Sequence, residues 1–406
     1  MQSKETFNLP LKFWIVALIA FTNSVGYTLI IPILYPYAKA FGLNDFEASL
    51  LTTAYAASQF IATPILGRLS DCWGRKPLLV ISLIGTVLAN IVASLAPFAW
   101  LLFAARILDG LTGGNTSIAQ AVISDITHPA QRTKAFGIFG ATFRLGFVAG
   151  PTLSYLAQNL PTPPGVSSLG MGFLVSAAMA SIAMVLCLCL LSETLPQRCE
   201  FQFTWRDFGL NKVAQSAVNP RLGRIFMATF LSGFTFIIFA FAFQPFFLNV
   251  LHQDAKTLAL VFAIFGVLGF ITQFFALDRL IQRFSLVNIL TVTLAIRGII
   301  FLLMPTFPDL LAFFFMIVIF GVINSFPLPL IDSILSLKSQ QQEQGKVLGV
   351  NASYLSISKA LGPATAGMLV SLGYQTPLWV AGVLTWFTAW FALGLRSREG
   401  PRFRRG

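Results

Sequence analysis

Apolar and polar positions along this 406-residue chain alternate in long blocks, without the short amphipathic period of a soluble helix or strand. Apolar runs of about twenty residues, enough for a helix to cross the hydrocarbon core of a bilayer, recur from one end of the chain to the other. They predict helices at about Phe13 to Tyr37, Glu47 to Leu66, Pro77 to Ala96, Ala99 to Ile123, Arg132 to Ala157 and Leu169 to Leu191. A second set follows at about Arg224 to Leu248, Lys256 to Leu277, Leu286 to Met304, Leu310 to Ser336, Gln344 to Leu372 and Pro377 to Leu395. The longest polar stretch, Ser192 to Gly223, carries Glu193, Arg198, Glu200, Arg206, Asp207, Lys212 and Arg221, and reads as a cytoplasmic linker. It divides the chain into an N-terminal six-helix bundle, 1–191, and a C-terminal one, 224–406.

The two sets repeat each other. Gly137, Gly150 and Pro151 recur as Gly349, Gly362 and Pro363, each 212 residues later, while Arg68, Leu69 and Trp73 correspond to Arg279, Leu280 and Phe284, each 211 later. A duplicated block of helices is expected, so the predicted fold is an all-α membrane protein of twelve transmembrane helices in two six-helix pseudo-repeats.

Composition agrees: 56% of residues are hydrophobic, 10% are charged and the mean hydropathy is +0.77, which excludes a soluble domain. The net charge of +12 would suit a nucleic-acid partner, but its placement points elsewhere. With both termini cytoplasmic, 21 Lys and Arg fall in inside segments and only Lys39 and Lys256 outside. That is the positive-inside bias of a topology signal. The first apolar run continues to Pro36 without a small-residue cleavage site and reads as a retained helix. Cys72, Cys187, Cys189 and Cys199 suggest neither a disulfide nor a metal site. His128 and His252 lie in loops, with no nucleophile, base or metal cluster nearby in sequence, so neither an enzyme nor a cofactor is expected.

One charged interruption stands out: Gly67-Arg68-Leu69-Ser70-Asp71-Cys72-Trp73-Gly74-Arg75-Lys76-Pro77. Read from its residues it is a loop in water. Gly67 and Gly74 would permit a tight reversal, Pro77 suits the first turn of the next helix, and Arg68, Arg75 and Lys76 hold it on the cytoplasmic face. In type and spacing the stretch resembles the loop between the second and third helices of the major facilitator superfamily. The resemblance implies alternating access, with Asp71 meeting the positive end of a helix in the other half to latch the outward-facing state.

Further motifs narrow the likeness. The first helix carries Thr22-Asn23-Ser24-Val25-Gly26-Tyr27, which resembles exporters of the drug/proton antiporter branch, with Asn23 where an acid is common. The fourth carries Arg106-Ile107-Leu108-Asp109-Gly110-Leu111-Thr112-Gly113-Gly114-Asn115, then Ser124-Asp125-Ile126-Thr127, and is similar to the tetracycline-exporter type. Asp109 stands there in place of glutamine, about 15 Å deep at roughly 1.5 Å per residue. Arg106 and Asp109, three apart, share a helix face. The fifth carries Gly146, Gly150 and Pro151 in an antiporter-like pattern, although close helix packing explains the glycines equally well.

Taken together these motifs predict a secondary-active, proton-coupled transporter of a small organic solute, most simply an exporter working by antiport. It should function as a monomer in the bilayer of a bacterial cytoplasmic (inner) membrane. Asp109 is the expected proton carrier: desolvation favours the protonated acid, and pairing with Arg106 favours the carboxylate. Asn23, Asn115, Arg144, Gln244, Gln273, Asn324 and Lys359 are expected along the solute cavity. Arg297 is expected to pair with a neighbouring helix and Asp332 to meet cytoplasmic water. The excess of buried positive charge keeps open a second reading, a porter of organic anions.

Overall fold

A computed structural model describes residues 9–128, 131–195, 210–219, 222–339 and 344–395. Lys4, the 196–209 part of the predicted linker with Arg198, Glu200, Arg206 and Asp207, Arg221, and the arginines from Arg396 onward lie outside the described residues, as do the side chains of Lys134, Lys212 and Lys346.

All twelve predicted runs are helical. In the first half they are α1 (Leu11–Ala40), α2 (Asp45–Trp73), α3 (Arg75–Ser94), α4 (Ala99–Thr112) with α5 (Asn115–Ile126), α6 (Arg132–Ala157) and α7 (Gly170–Leu190). A short α8 (Leu210–Ala217) precedes the second half. There α9 (Gly223–Pro245) is followed by α10 (Ala255–Phe275), a short α11 (Leu277–Arg283), α12 (Leu286–Leu303), α13 (Leu310–Ile323) with α14 (Pro327–Lys338), α15 (Gln344–Val370) and α16 (Thr376–Leu393). Among the described residues, nine of these stretches are by themselves long and apolar enough to cross a membrane. The others are α2, the interrupted α4 and α5, and α15.

Three features depart from the pattern read in the sequence. The stretch Gly67 to Pro77 is not a loop. α2 runs through it to Trp73, and Gly74 alone, at φ 114°, separates α2 from α3. A helical Gly67 costs only about 1 kcal/mol relative to alanine. The turn around it is held by Ser70, whose hydroxyl donates to the Gly67 carbonyl at 2.7 Å, while the Asp71–Arg75 pair spans the Gly74 junction.

The fourth run is broken at Gly113 and Gly114 and the tenth between Asn324 and Phe326. A helix break inside an apolar medium strands backbone carbonyls, which must find donors. At the first break the Ser82 hydroxyl of α3 donates to the Thr112 carbonyl and the Gln59 amide of α2 donates to the Gly113 carbonyl at 2.9 Å. At the second, Pro327 has no N–H to continue the ladder and starts α14 in its first turn. Pro245 acts similarly at the end of α9, where the chain continues as one π-helical turn, Phe246–Val250.

The described chain forms two compact units, one from Met1–Tyr37 and Ala57–Asp207, the other from Ala38–Ala56 and Phe208–Gly406. Phe13, Val16, Leu79, Ile118, Val122, Phe139 and Cys187 anchor a core cluster in the first unit. In the second, Ile225, Phe226, Leu290, Leu294, Ile331 and Leu335 do so. The second unit also binds α8: the Tyr354 hydroxyl donates to the Val213 carbonyl at 2.8 Å, and its ring stacks on Phe226 at 5.4 Å.

Candidate functional site

In the first unit, α4 presents Arg106 and Asp109 on one face. An Arg106 Nη2 lies 3.1 Å from an Asp109 Oδ2, and the two residues are 3% and 6% exposed. α3 supplies the surroundings. The Thr86 hydroxyl donates to the Asp109 carboxylate, and one turn along, Asn90 donates its Nδ2 to the Thr86 carbonyl at 2.8 Å. The close approach of α3 to α4 depends on Gly85, where any Cβ would collide with the Thr112 side chain. Tyr27 of α1 is within electrostatic reach of both Arg106 and Asp109. Asn23, one turn earlier, is half-buried, and Asn115 is buried at the start of α5.

The antiporter-like glycines make a helix contact. Gly146 and Gly150 of α6 pack on Ser24 and Thr28 of α1, with no room for a Cβ, and the Thr28 hydroxyl donates to the Gly146 carbonyl at 2.7 Å. Pro151 sits inside α6, and Arg144 is exposed on the same helix.

At the junction of α2 and α3, Arg75 ties the motif together. Its guanidinium is 2.6 Å from Asp71, 3.0 Å from Asp125 of α5 and 2.6 Å from the Ser70 hydroxyl. Glu193, just past α7, accepts the backbone N–H groups of Arg75 at 3.0 Å and Lys76 at 3.2 Å, so it neutralises the positive end of α3. Its partial burial would raise its pKa, but four backbone N–H donors, from Leu195, Thr194, Arg75 and Lys76, outweigh that and hold the pKa below the usual carboxylate value. Lys76 donates to the Leu188 carbonyl at 2.8 Å. The sequence placed Asp125 in a quoted motif without a partner and Glu193 in a linker. The detectable signal was only that each is the first acid after an apolar run.

In the second unit the buried charge is Arg297 of α12, 1% exposed. Its Nη1 donates to Asn324 Oδ1 at 3.3 Å, and its Nη2 donates to the Ser232 carbonyl and hydroxyl, each at 3.2 Å, and to the Thr235 hydroxyl at 3.0 Å. The guanidinium also lies 5.9 Å from the Phe301 ring. Arg297 therefore joins α12 to α9 and to the break before α14, and Asn324, expected to meet solute, is engaged with it. Gln244 is buried at the end of α9, Gln273 is half-buried on α10, and Lys359 is exposed on α15. Asp332 is exposed on α14 and accepts from Asn351 at 2.9 Å, whose carbonyl in turn accepts from Thr229 at 2.6 Å.

Among the described residues no group of three His, Cys, Asp or Glu side chains could hold a metal. Cys72 and Cys187 are buried and Cys189 is exposed, with no disulfide among them; Cys199 lies outside the described residues.

The Major Facilitator Superfamily model matches residues 16–214 and 225–405. The chain is 26% identical over 406 residues to tetracycline resistance protein, class H, of Pasteurella multocida, covering 93% of this chain and 95% of that protein. It is 28% identical over 373 residues to the class C protein of Escherichia coli, covering 90% and 88%. With multidrug resistance protein 2 of Bacillus subtilis (strain 168) it shares 26% over 369 residues, covering 89% of each. Among solved structures, the human organic anion transporter aligns with a TM-score of 0.71 at 20% identity, covering 94% of this chain and 100% of that one. A bacterial homologue of the human lysosomal transporter Spinster aligns with a TM-score of 0.76 at 16% identity, covering 97% and 98%.

Proposed function

We propose that this chain, which belongs to the major facilitator superfamily and is thus a membrane transporter and not an enzyme, exports a small amphipathic organic solute in exchange for protons by alternating access. The observation that carries this reading is the buried Arg106–Asp109 pair with its Thr86 donor. A carboxylate deep in an apolar helix bundle is costly unless it is paired, and a proton-coupled carrier needs a group that can exist in both states. Asp109 has the means for both. Ionised, it is held by the guanidinium and the hydroxyl; protonated, it releases Arg106. Asn23 cannot carry a proton, which leaves the duty to Asp109.

Support for export comes from the relatives, which are named for tetracycline and multidrug resistance. Within the first unit Asn23, Asn115 and Arg144 would offer polar contacts to the solute, and within the second Gln244, Gln273 and Lys359 would. We place the protein in a bacterial cytoplasmic membrane, working as a monomer with both termini inside. The Asp71–Arg75–Asp125 cluster would act as the cytoplasmic latch. The exposed Arg144 and Lys359 favour a second reading, a porter of organic anions.

The test is transport in proteoliposomes under an imposed pH gradient, with tetracycline and a panel of cationic and anionic solutes. Asp109→Asn is expected to abolish uphill movement while sparing downhill exchange; intact pH-driven accumulation in that variant would remove Asp109 from the mechanism. Preference for anions that disappears in Arg144→Gln would select the second reading.

A further inference from the structure

α10 runs on into α11 without a loop. Ala276 between them keeps right-handed helical angles (φ −101°, ψ −31°), and the Leu280 N–H donates to the Ala276 carbonyl at 3.0 Å. Five exposed residues therefore follow one another at one-turn intervals along a single row: Val267, Ile271, Phe275, Arg279 and Arg283. The first three belong to a stretch long and apolar enough to cross a membrane, Ala255–Phe275, and the next such stretch starts at Leu286. The two arginines thus stand in the short connection 276–285 between two spans, at the level of the lipid headgroups. Leu277 and Leu280 of α11 pack against the core of the second unit and fix which way the row faces.

Neither arginine has a hydrogen bond or ion pair among the described residues. The nearest acid in the sequence, Asp278, is one position from Arg279 and five from Arg283, spacings that are not neighbours on a helix. The duplicated stretch of the first unit shows what has changed. There Arg75 is engaged by Asp71 and Asp125, whereas 211 residues on, Gln282 replaces Asp71 and Arg283 replaces Cys72. An acid has gone and a cation has come in, which leaves the charge of this row for a partner outside the chain. Topology signalling accounts for basic residues in such a connection but not for their alignment with an exposed apolar row.

We infer that the α10–α11 row binds an anionic phospholipid of the surrounding leaflet, with Arg279 and Arg283 donating to the headgroup phosphate and an acyl chain lying along Phe275, Ile271 and Val267. The forked guanidinium donors suit phosphate oxygens, and the row has the same polarity as the lipid, apolar in the bilayer and charged at its surface. A zwitterionic lipid carries its own cation beside the phosphate, so discrimination is electrostatic. The site requires only that the chain be embedded in a bilayer, and is independent of the solute and of the direction of transport.

The experiment uses the full chain purified in detergent and native mass spectrometry, which counts the lipids retained on the protein through a titration. The probes are phosphatidylglycerol, phosphatidylcholine with the same acyl chains, and glycerol 3-phosphate, which has the phosphate without the chains. Wild type is expected to retain one phosphatidylglycerol in preference to phosphatidylcholine. Arg279→Gln/Arg283→Gln should weaken phosphatidylglycerol about 25-fold, at about fivefold for each arginine near an anionic headgroup, and leave phosphatidylcholine unchanged. Phe275→Ala should weaken both lipids severalfold, and Lys12→Gln, which removes an exposed cation from the first unit, should alter neither. The double variant is expected to unfold at the wild-type temperature in lipid-free detergent; a lower temperature would show that the arginines serve the fold and would overturn the site. Equal retention of both lipids by wild type, a preference that survives the double variant, or an equal loss in Lys12→Gln would do the same. Displacement of phosphatidylglycerol by an equimolar amount of glycerol 3-phosphate would replace the lipid site with one for free phosphate.

Discussion

The two helix breaks occupy matching places in the duplicated halves and carry opposite chemistry. Gly85 and Thr112 meet beside the first break, and their counterparts, each 212 residues later, are Arg297 and Asn324, which meet beside the second. On α3 the position is empty of side chain, so Thr112 enters and the charged chemistry lies about one and two turns back along α4, at Asp109 and Arg106. On α12 the same position holds the largest fully buried side chain among the described residues, and the acceptors its guanidinium meets there, Asn324, Ser232 and Thr235, are neutral. The duplication thus preserved a backbone feature and let the contact diverge. One half has a buried charge pair on a single helix, and the other has a buried cation that fastens three helices.

That contrast predicts a separation of effects, the largest in the second unit. Arg297→Met leaves Asn324, Ser232 and Thr235 without their shared donor, and a loss of about 2–4 kcal/mol is expected, as for a broken buried network. Arg297→Lys should recover less than half, because one ammonium cannot reach both α9 and Asn324 as the guanidinium fork does. Arg106→Met should cost much less stability while eliminating pH-driven transport, since Asp109 can take up a proton when its cation is removed. Thermal unfolding of the purified variants measures this, and equal destabilisation by Arg297→Met and Arg106→Met would end the comparison.

A smaller effect is expected at the counterpart position. Gly85→Ala drives a Cβ into Thr112, and overpacking of this kind costs about 1–3 kcal/mol. The double variant Gly85→Ala/Thr112→Ala should recover most of it; no recovery would mean that α3 and α4 are held elsewhere.

The smallest effect belongs to Glu193, outside both breaks. An acid at an exposed helix N-terminus contributes about 0.3–1 kcal/mol. Its folded pKa is lowered, so the contribution is complete above the ordinary glutamate value and disappears as pH falls through the depressed one. Glu193→Gln should therefore melt lower than wild type at neutral pH and converge with it in acid. A gap that persists in acid would assign the effect to packing.

Helix positions were legible because each apolar run is long enough to declare itself, and the duplication was legible because Gly362 and Pro363 repeat Gly150 and Pro151 without interruption. The Arg106–Asp109 pair could be read because both members lie on one helix, where spacing fixes geometry. The breaks could not. Gly113-Gly114 reads equally as a packing surface, and Pro327 as an ordinary kink. Partners on different helices were invisible for the same reason: nothing in the local pattern joins Arg75 to Asp125, Glu193 to the start of α3, or Arg297 to Ser232 and Thr235. The loop reading of Gly67 to Trp73 failed because charge density was taken as a sign of open chain, whereas Arg68 and Asp71 ride on a continuing helix and the Asp71–Arg75 pair bridges the one-residue junction at its end.

The single residue between α2 and α3 has a mechanical meaning. Gly74 is the whole connection, and Glu193 fills the space where its side chain would go while accepting the first N–H groups of α3, so the carboxylate braces the joint. Movement of α2 would reach α3 through this one residue, and with it Thr86 and Gly85 beside Asp109. Trp73, 55% exposed at the joint itself, is a built-in gauge of that movement. Its fluorescence should change in step with protonation of Asp109, on α4 against the middle of α3, in a protein carrying no added label.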